Sequence, residues 1–373
     1  MADGWNDALQ DEIIEAQTDL MRLASATAED LIEILDRTDA KIKSILLDLE
    51  INAGVTAAQY AEIRRAQQQI AEMRAEAWGQ LSIELTDRVN QVAIASQDGV
   101  IAAIVTASDG NIRPSVVATS SLISISTSRP FEGRLLADWA AKMQSDDAAR
   151  FSRAIQLGMV AGQGPAQIAR EIYADSGVAG MTRRSIEGTV RTAINHVSSE
   201  AQALFAAKNP YIKQERFVAT LDRSTTFICA SNDGEVFSAG EGPRPPLHFN
   251  CRSRRVPFLG LDYLVGDRPY VEATDSMARK AYIADGKPKG GFQAYRRQYF
   301  RDRVGGVPKS TTYSDWLKRR SAAFQDEVLG PTRAKLFREG GLKIDKFTTE
   351  GGRTLTLDEL RRKHKRAFER AGL

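Results

Sequence analysis

Cysteine is scarce in this chain: two residues in 373, with three histidines. So few cysteines exclude a disulfide framework and fit a reducing compartment. No stretch approaches the roughly 18 consecutive apolar residues that a membrane span needs, so no membrane partner is expected. The opening MADGWNDALQDEIIEAQ is acidic and amphipathic and lacks a basic segment followed by an apolar one. It therefore reads as no secretory signal, and the protein is expected to be made and used in a cytoplasm. Internal repeats and low-complexity tracts are missing too, which leaves solenoids and disordered tails aside. Hydrophobic residues are 42% and charged residues 27%, enough for a real core over two or three domains.

The net charge of +3 hides an asymmetry. From Arg279 onward there are 24 Lys and Arg against 11 Asp and Glu, a net of +13, while the rest of the chain nets −10. A basic quarter on an acidic body suits contact with nucleic acid or an acidic protein surface, and equally a well-solvated helical surface.

Periodicity predicts a mainly α protein with a small α+β domain, elongated and divided into several units. Residues 1–105 read as a helical arm or bundle. Ile13, Ile14, Leu20, Met21, Leu23, Leu31, Ile32, Ile34, Leu35, Ile42, Ile45, Leu46 and Leu49 fall largely at i, i+3, i+4 spacing. Asn52-Ala53-Gly54 breaks the pattern. Thr56 with Gln59 then has capping-box spacing before a long helix bearing Tyr60, Ile63, Ile70, Met73, Ala77 and Leu81 on one face. Residues 106–130, rich in Ser, Thr and β-branched types, read as an irregular linker. Residues 131–210 form a helical core, interrupted by the Gly162-Gln163-Gly164-Pro165 turn. Residues 211–265 turn to strand patterns in RFVATLD, EVFSA and RRVPFL, with Asn232-Asp233-Gly234 as a hairpin-turn signal. Residues 266–373 form a basic helical region. Thr356 with Glu359 has capping-box spacing at the start of a final helix, LDELRRKHKRAFERAG.

Both cysteines and one histidine fall within 23 residues: Cys229, His248 and Cys251. Thiolate and imidazole donors select zinc in a reducing cell, and H-x-x-C lets one turn aim two donors at one ion. A structural zinc takes four ligands, and Asp222 is the expected fourth. The same residues admit two other readings. One is a buried, metal-free Cys–His cluster. The other is a catalytic Cys–His pair or an open zinc with water, for which neither a base nor an oxyanion site is evident. Arg191 and Arg252 have the planar fork suited to holding the β domain on the helical block through carboxylates such as Asp222. Pro245-Pro246 stiffens the approach to His248. His196 and His364 read as capping or solvated residues. Trp78, Trp139 and Trp316 read as core, and Trp5 as an anchor into a partner. Arg361, Arg362, Lys363, Lys365 and Arg366 make the strongest nucleic-acid candidate, binding phosphate without sequence preference.

These pieces, in this order, resemble the Mu F-like minor head proteins, also called phage head-morphogenesis proteins. FEGRLLADWAAKM and GQGPAQIAREI resemble the helical part. Arg191-Thr192-Ala193 with Asn195 and His196 resembles the family's Arg-Thr helix. Leu221-Asp222-Arg223-Ser224-Thr225, Cys229, Asp233-Gly234-Glu235-Val236-Phe237, Pro245-Pro246, His248, Asn250, Cys251 and Arg252 complete the series, over about residues 131–262. WLKRRSAAFQDEVLGPTRAKLF and TLTLDEL are typical of one podophage-like branch. Some members carry a further cysteine where this chain has Thr226. The resemblance implies a structural virion protein rather than an enzyme. It would dock at the portal vertex of a tailed phage in several copies, with the portal protein and major capsid protein as partners. It would contact packaged double-stranded DNA, and be made in the host cytoplasm. A metal-dependent hydrolase or nuclease acting during head filling, and a DNA-binding accessory protein ejected with the genome, are the alternatives.

Overall fold

The structure is a computed structural model that describes residues 5–48, 57–258, 267–349 and 351–373. Two long helices dominate its first third, α1 (Trp5–Leu47) and α2 (Ala57–Ala107). At 51 residues α2 is about 75 Å long at the usual helical rise. The predicted stripe is the seam between them: Leu31, Leu35, Ile42 and Leu46 of α1 are buried against Ile63, Ile70, Trp78, Leu81 and Leu85 of α2. The Asn52-Ala53-Gly54 break, the Thr56–Gln59 capping box, and the side chains of Trp5, Ile13 and Ile14 lie outside the described residues. One window of α2 is long and apolar enough to cross a membrane by composition. Its Val92, Ala93, Val100, Ala103 and Ile104 are buried in the helical core.

That core is shared with α3 (Thr119–Ser128), α4 (Leu136–Val160) and α6 (Val178–Lys208), while α5 (Pro165–Ile172) caps its far end. The first hundred residues pack into the bundle, because α1 and α2 both pack on α6. Buried Arg74 of α2 ties the bundle together. It pairs with Asp39 of α1 and with Asp147 of α4, and Asp147 also accepts from Trp78 (2.9 Å) and from Thr182 of α6 (2.6 Å). Four helices thus meet on one charge-assisted network. The GQGP turn is as expected, with Gly162 at φ +70° and Pro165 in the first turn of α5.

The stretch expected to be an irregular linker holds α3. Leu122 and Ile125 are fully buried, and Ser124, Thr127 and Ser128 return their hydroxyls to carbonyls one turn back. This satisfies the polar groups whose abundance suggested a loop. The approach to α3 is extended and held by two amide side chains. Gln97 bonds both backbone groups of Val117, and Asn209 both of Ser115.

Strands β1 (Gln214–Val218), β2 (Val236–Ser238) and β3 (Arg254–Phe258) form an antiparallel sheet in the order β2-β1-β3. The expected hairpin turn at Asn232-Asp233-Gly234 is instead the exit of a short helix, α7 (Phe227–Asn232), inserted between β1 and β2. Gly234 takes the left-handed conformation expected of a turn glycine, at φ +90°. Asp233 is drawn inward rather than outward. Its buried carboxylate accepts from the backbone N–H of Ala219 (2.7 Å) and Tyr313 (2.6 Å) and pairs with Arg268 (2.9 Å).

The basic C-terminal region has a core of its own. It opens on a second antiparallel pair, β4 (Asp267–Val271) with β5 (Val304–Pro308), separated by α8 (Asp275–Ala284) and α9 (Gly291–Arg301). Helices α10 (Tyr313–Lys318), α11 (Ala322–Leu329), α12 (Pro331–Arg338), α13 (Leu357–Lys363) and α14 (Lys365–Arg370) follow. Tyr313, Trp316, Phe324, Leu336, Phe347 and Leu360 pack there with Leu221 and Ala230 of the β region. The capping box forms at Thr356 and Glu359 as predicted, but the expected single final helix is broken at His364. Trp78 and Trp316 are core, as expected, and Trp139 is partly buried.

Candidate metal centre

Cys229 sits in α7, whose first turn follows Thr226. His248 and Cys251 lie on the loop entering β3, in a turn closed by Cys251 N–H donating to His248 carbonyl (3.1 Å). Cys229 Sγ is 3.3 Å from His248 Nε2 and 3.7 Å from Cys251 Sγ, and the three donor atoms lie within 4.8 Å of one another. Two Zn–S bonds at a tetrahedral angle would hold the sulfurs about 3.8 Å apart, and a sulfur and an imidazole nitrogen about 3.6 Å apart. The three donors therefore have the spacing of one metal's ligands. Both cysteines are free thiols and almost fully buried.

The hydrogen bond with Cys229, then those from His248 and the Leu247 backbone, hold the Cys251 thiol well below its usual range against burial. Cys229, on the other side of that bond and buried, is pushed up. Burial opposes charge on His248, but its bond to Cys251 and the Cys251 charge outweigh this and raise it. His248 Nδ1 lies 2.9 Å from the Phe249 carbonyl, an acceptor. That contact puts the proton on Nδ1 and leaves the Nε2 lone pair, which accepts a hydrogen bond or binds a metal, facing the thiols.

Asp222 does not join them. Both its carboxylate oxygens accept from Arg252, Nη2 to Oδ1 at 2.7 Å, and it also caps its own turn at Ser224 N–H (2.9 Å). The fourth ligand predicted for the cluster is thus occupied elsewhere. Two hydroxyls, those of Ser253 and Thr226, each stand close enough to ease the Cys229 thiol's pKa downward. Thr226 Oγ1 is buried and has no geometrically sound hydrogen bond.

The turn is held from the helical block by α6. Arg191 donates to Asn250 Oδ1 (2.7 Å), Thr192 Oγ1 accepts from Asn250 N–H (2.9 Å), and Asn195 Nδ2 donates to Cys251 carbonyl (2.8 Å). Arg191 does tie the β domain to the helices, but through an amide rather than a carboxylate. Asn250 needs this support, being at φ +63°. Gly188 completes the seat: a Cβ there would come within 2.7 Å of the Phe249 ring. Sequence reasoning gave Gly188 no role, and its only signal was its place one turn before Thr192. His196 binds no cluster atom. Its Nε2 meets the Arg129 carbonyl at 3.1 Å.

The basic run is solvent-facing, and its Lys363 lines a cavity with Ile228 and Asn232 of α7. Arg361, Arg362, Lys363, Lys365 and Arg366 are all exposed, and none forms an ion pair among the described residues. Nearby Arg338, Lys346 and Arg353 all do.

Residues 149–256 match the model of a family described as phage Mu protein F like protein. The matched span runs from the second half of α4 into β3, so it contains α6, Asp222, Asp233 and all three cluster residues. No curated protein and no solved structure matches the chain.

Proposed function

We propose that this chain, whose residues 149–256 match the phage Mu protein F like family model, is a structural minor head protein of a tailed phage. It docks at the portal vertex, beside the portal protein and major capsid protein, and serves head assembly and genome packaging or ejection. The observation that carries this is the seating of the H-x-N-C turn on α6 by Arg191, Thr192 and Asn195, inside the matched span. That arrangement fastens a helical block to a small β domain, which suits a docking component.

Within it, Cys229, His248 and Cys251 hold a structural Zn2+. When bound, zinc would cross-link α7 to the loop before β3. Nearly complete burial of both sulfurs, and the absence of an unpaired carboxylate beside them among the described residues, favour a staple over the hydrolase alternative. The unpaired basic run favours a second role, salt-sensitive contact with packaged double-stranded DNA.

Cross-linking mass spectrometry on purified virions of the parent phage tests the main reading. Cross-links to portal at a fixed, low copy ratio are expected. Absence from mature virions would leave a transient assembly factor or an enzyme instead.

A further inference from the structure

Among the described residues, four arginines have almost fully buried side chains, and three of them have carboxylates. Arg74 pairs with Asp39 and Asp147, Arg255 faces Glu215 at 3.4 Å, and Arg268 pairs with Asp233. Arg254, the first residue of β3, is 4% exposed and has no carboxylate among the described residues. Its Nη2 donates to Ser198 Oγ (2.7 Å) and to the Gln202 amide oxygen. Its Nη1 is buried without any partner. Burial, with no neighbouring charge to offset it, pushes its pKa down to about 10. A buried cation without a counterion is costly, and such cases are ordinarily resolved by a partner anion.

Arg254 also lines an open apolar groove of about 310 Å³ between α1 and α2. Leu20 and Leu23 form one wall, with Leu23 39% exposed. Ala95 and Gly99, one turn apart on α2 and exposed, form the other. A Cβ on Gly99 would meet nothing within 4 Å. Small residues one turn apart let a further helix approach closely. Asp19 stands at the rim, but its carboxylate is held by Arg22 at 3.0 Å.

We propose that this groove receives a helix of a partner protein in the phage head, and that one Asp or Glu on that helix, set between apolar side chains, pairs with Arg254. The proposal rests on the head-protein reading and adds the chemistry of the partner to it. Charge complementarity selects the partner: Arg254 lines a groove of apolar walls and lacks a carboxylate among the described residues, which favours one carboxylate over a polyanion such as DNA.

Two variants test it in the full chain, expressed from the phage. Gly99→Trp fills the groove from a position with open space and better helix propensity, so its Tm should be unchanged or higher. Arg254→Met removes an uncompensated buried charge, so its Tm should also hold or rise, where a merely structural arginine would lower it. Both should reduce the chain's copies in purified heads at least about tenfold, the effect of losing a ~1.4 kcal/mol contact. A benzophenone side chain placed at Ala95 should cross-link to a partner peptide carrying Asp or Glu among apolar residues. Wild-type incorporation of both variants, or a lower Tm for Arg254→Met with normal incorporation of Gly99→Trp, overturns the proposal. A fatty acid seen by native mass spectrometry on wild type and lost from Gly99→Trp would replace the protein partner with a lipid. Absence of the wild-type chain from heads overturns the underlying reading instead.

Discussion

Cys251 and Asp222 separate the staple from its surroundings. Cys251→Ser should abolish stoichiometric zinc, measured by plasma mass spectrometry on purified protein, and lower stability by several kcal/mol, since metal binding is folding free energy in small metal domains. Asp222→Ala should keep zinc at the wild-type level, because Asp222 is engaged by Arg252. It should still cost about 3 kcal/mol, by breaking the largely buried Asp222–Arg252 pair. Zinc lost from Asp222→Ala would restore it as a ligand. An unchanged melting temperature in Cys251→Ser, with no zinc in wild type, would sink the staple. The three donors were legible in sequence because both cysteines and a histidine fall so close together. Asp222 was misassigned because proximity in sequence does not say which cation a carboxylate prefers, and Arg252, next to Cys251, was the competitor.

At the scale of elements, two buried carboxylates join pieces that are far apart in the chain. Asp233 fastens the exit of α7 to β4 through Arg268 and to α10 through Tyr313 N–H. Asp233→Asn keeps the shape but leaves Arg268 unpaired, and should cost about 3–5 kcal/mol, read as a drop in urea midpoint. Asp39 predicts a pH effect. Burial, outweighing the attraction of Arg74, raises its pKa from 3.8 to about 6. A carboxyl raised on folding contributes stability that is present below pH 4 and lost as pH rises through 6, a change of up to about 3 kcal/mol. Asp39→Asn should flatten that slope between pH 4 and 6; an unaltered slope would show that Asp39 does not carry it. The long helices could be read from periodicity, since one apolar face suffices to reveal them. Helix α3 could not, because its serines and threonines satisfy themselves locally, which composition reads as a loop. Nor could the insertion of α7, since Asp233 answers to Ala219 and Tyr313 rather than to its own turn.

Over the whole molecule, the segment that matches the phage Mu protein F like family model links a long helical pair to a basic C-terminal region. The charge asymmetry was visible in sequence, but not that the basic run stays unpaired while its neighbours pair off. Replacing Arg361, Arg362, Lys363, Lys365 and Arg366 with Gln should cut the salt slope of DNA binding by several units, each phosphate contact being worth about 0.9 in log–log slope. An unchanged slope would move any DNA contact elsewhere. The central claim is that this chain is built into the phage head. Electron cryomicroscopy of the portal vertex, in wild-type heads and in heads made without this chain, tests it most directly. The account predicts density beside the portal with a helical pair whose longer helix is about 75 Å, absent from the mutant heads. Identical portal vertices in the two preparations would contradict it.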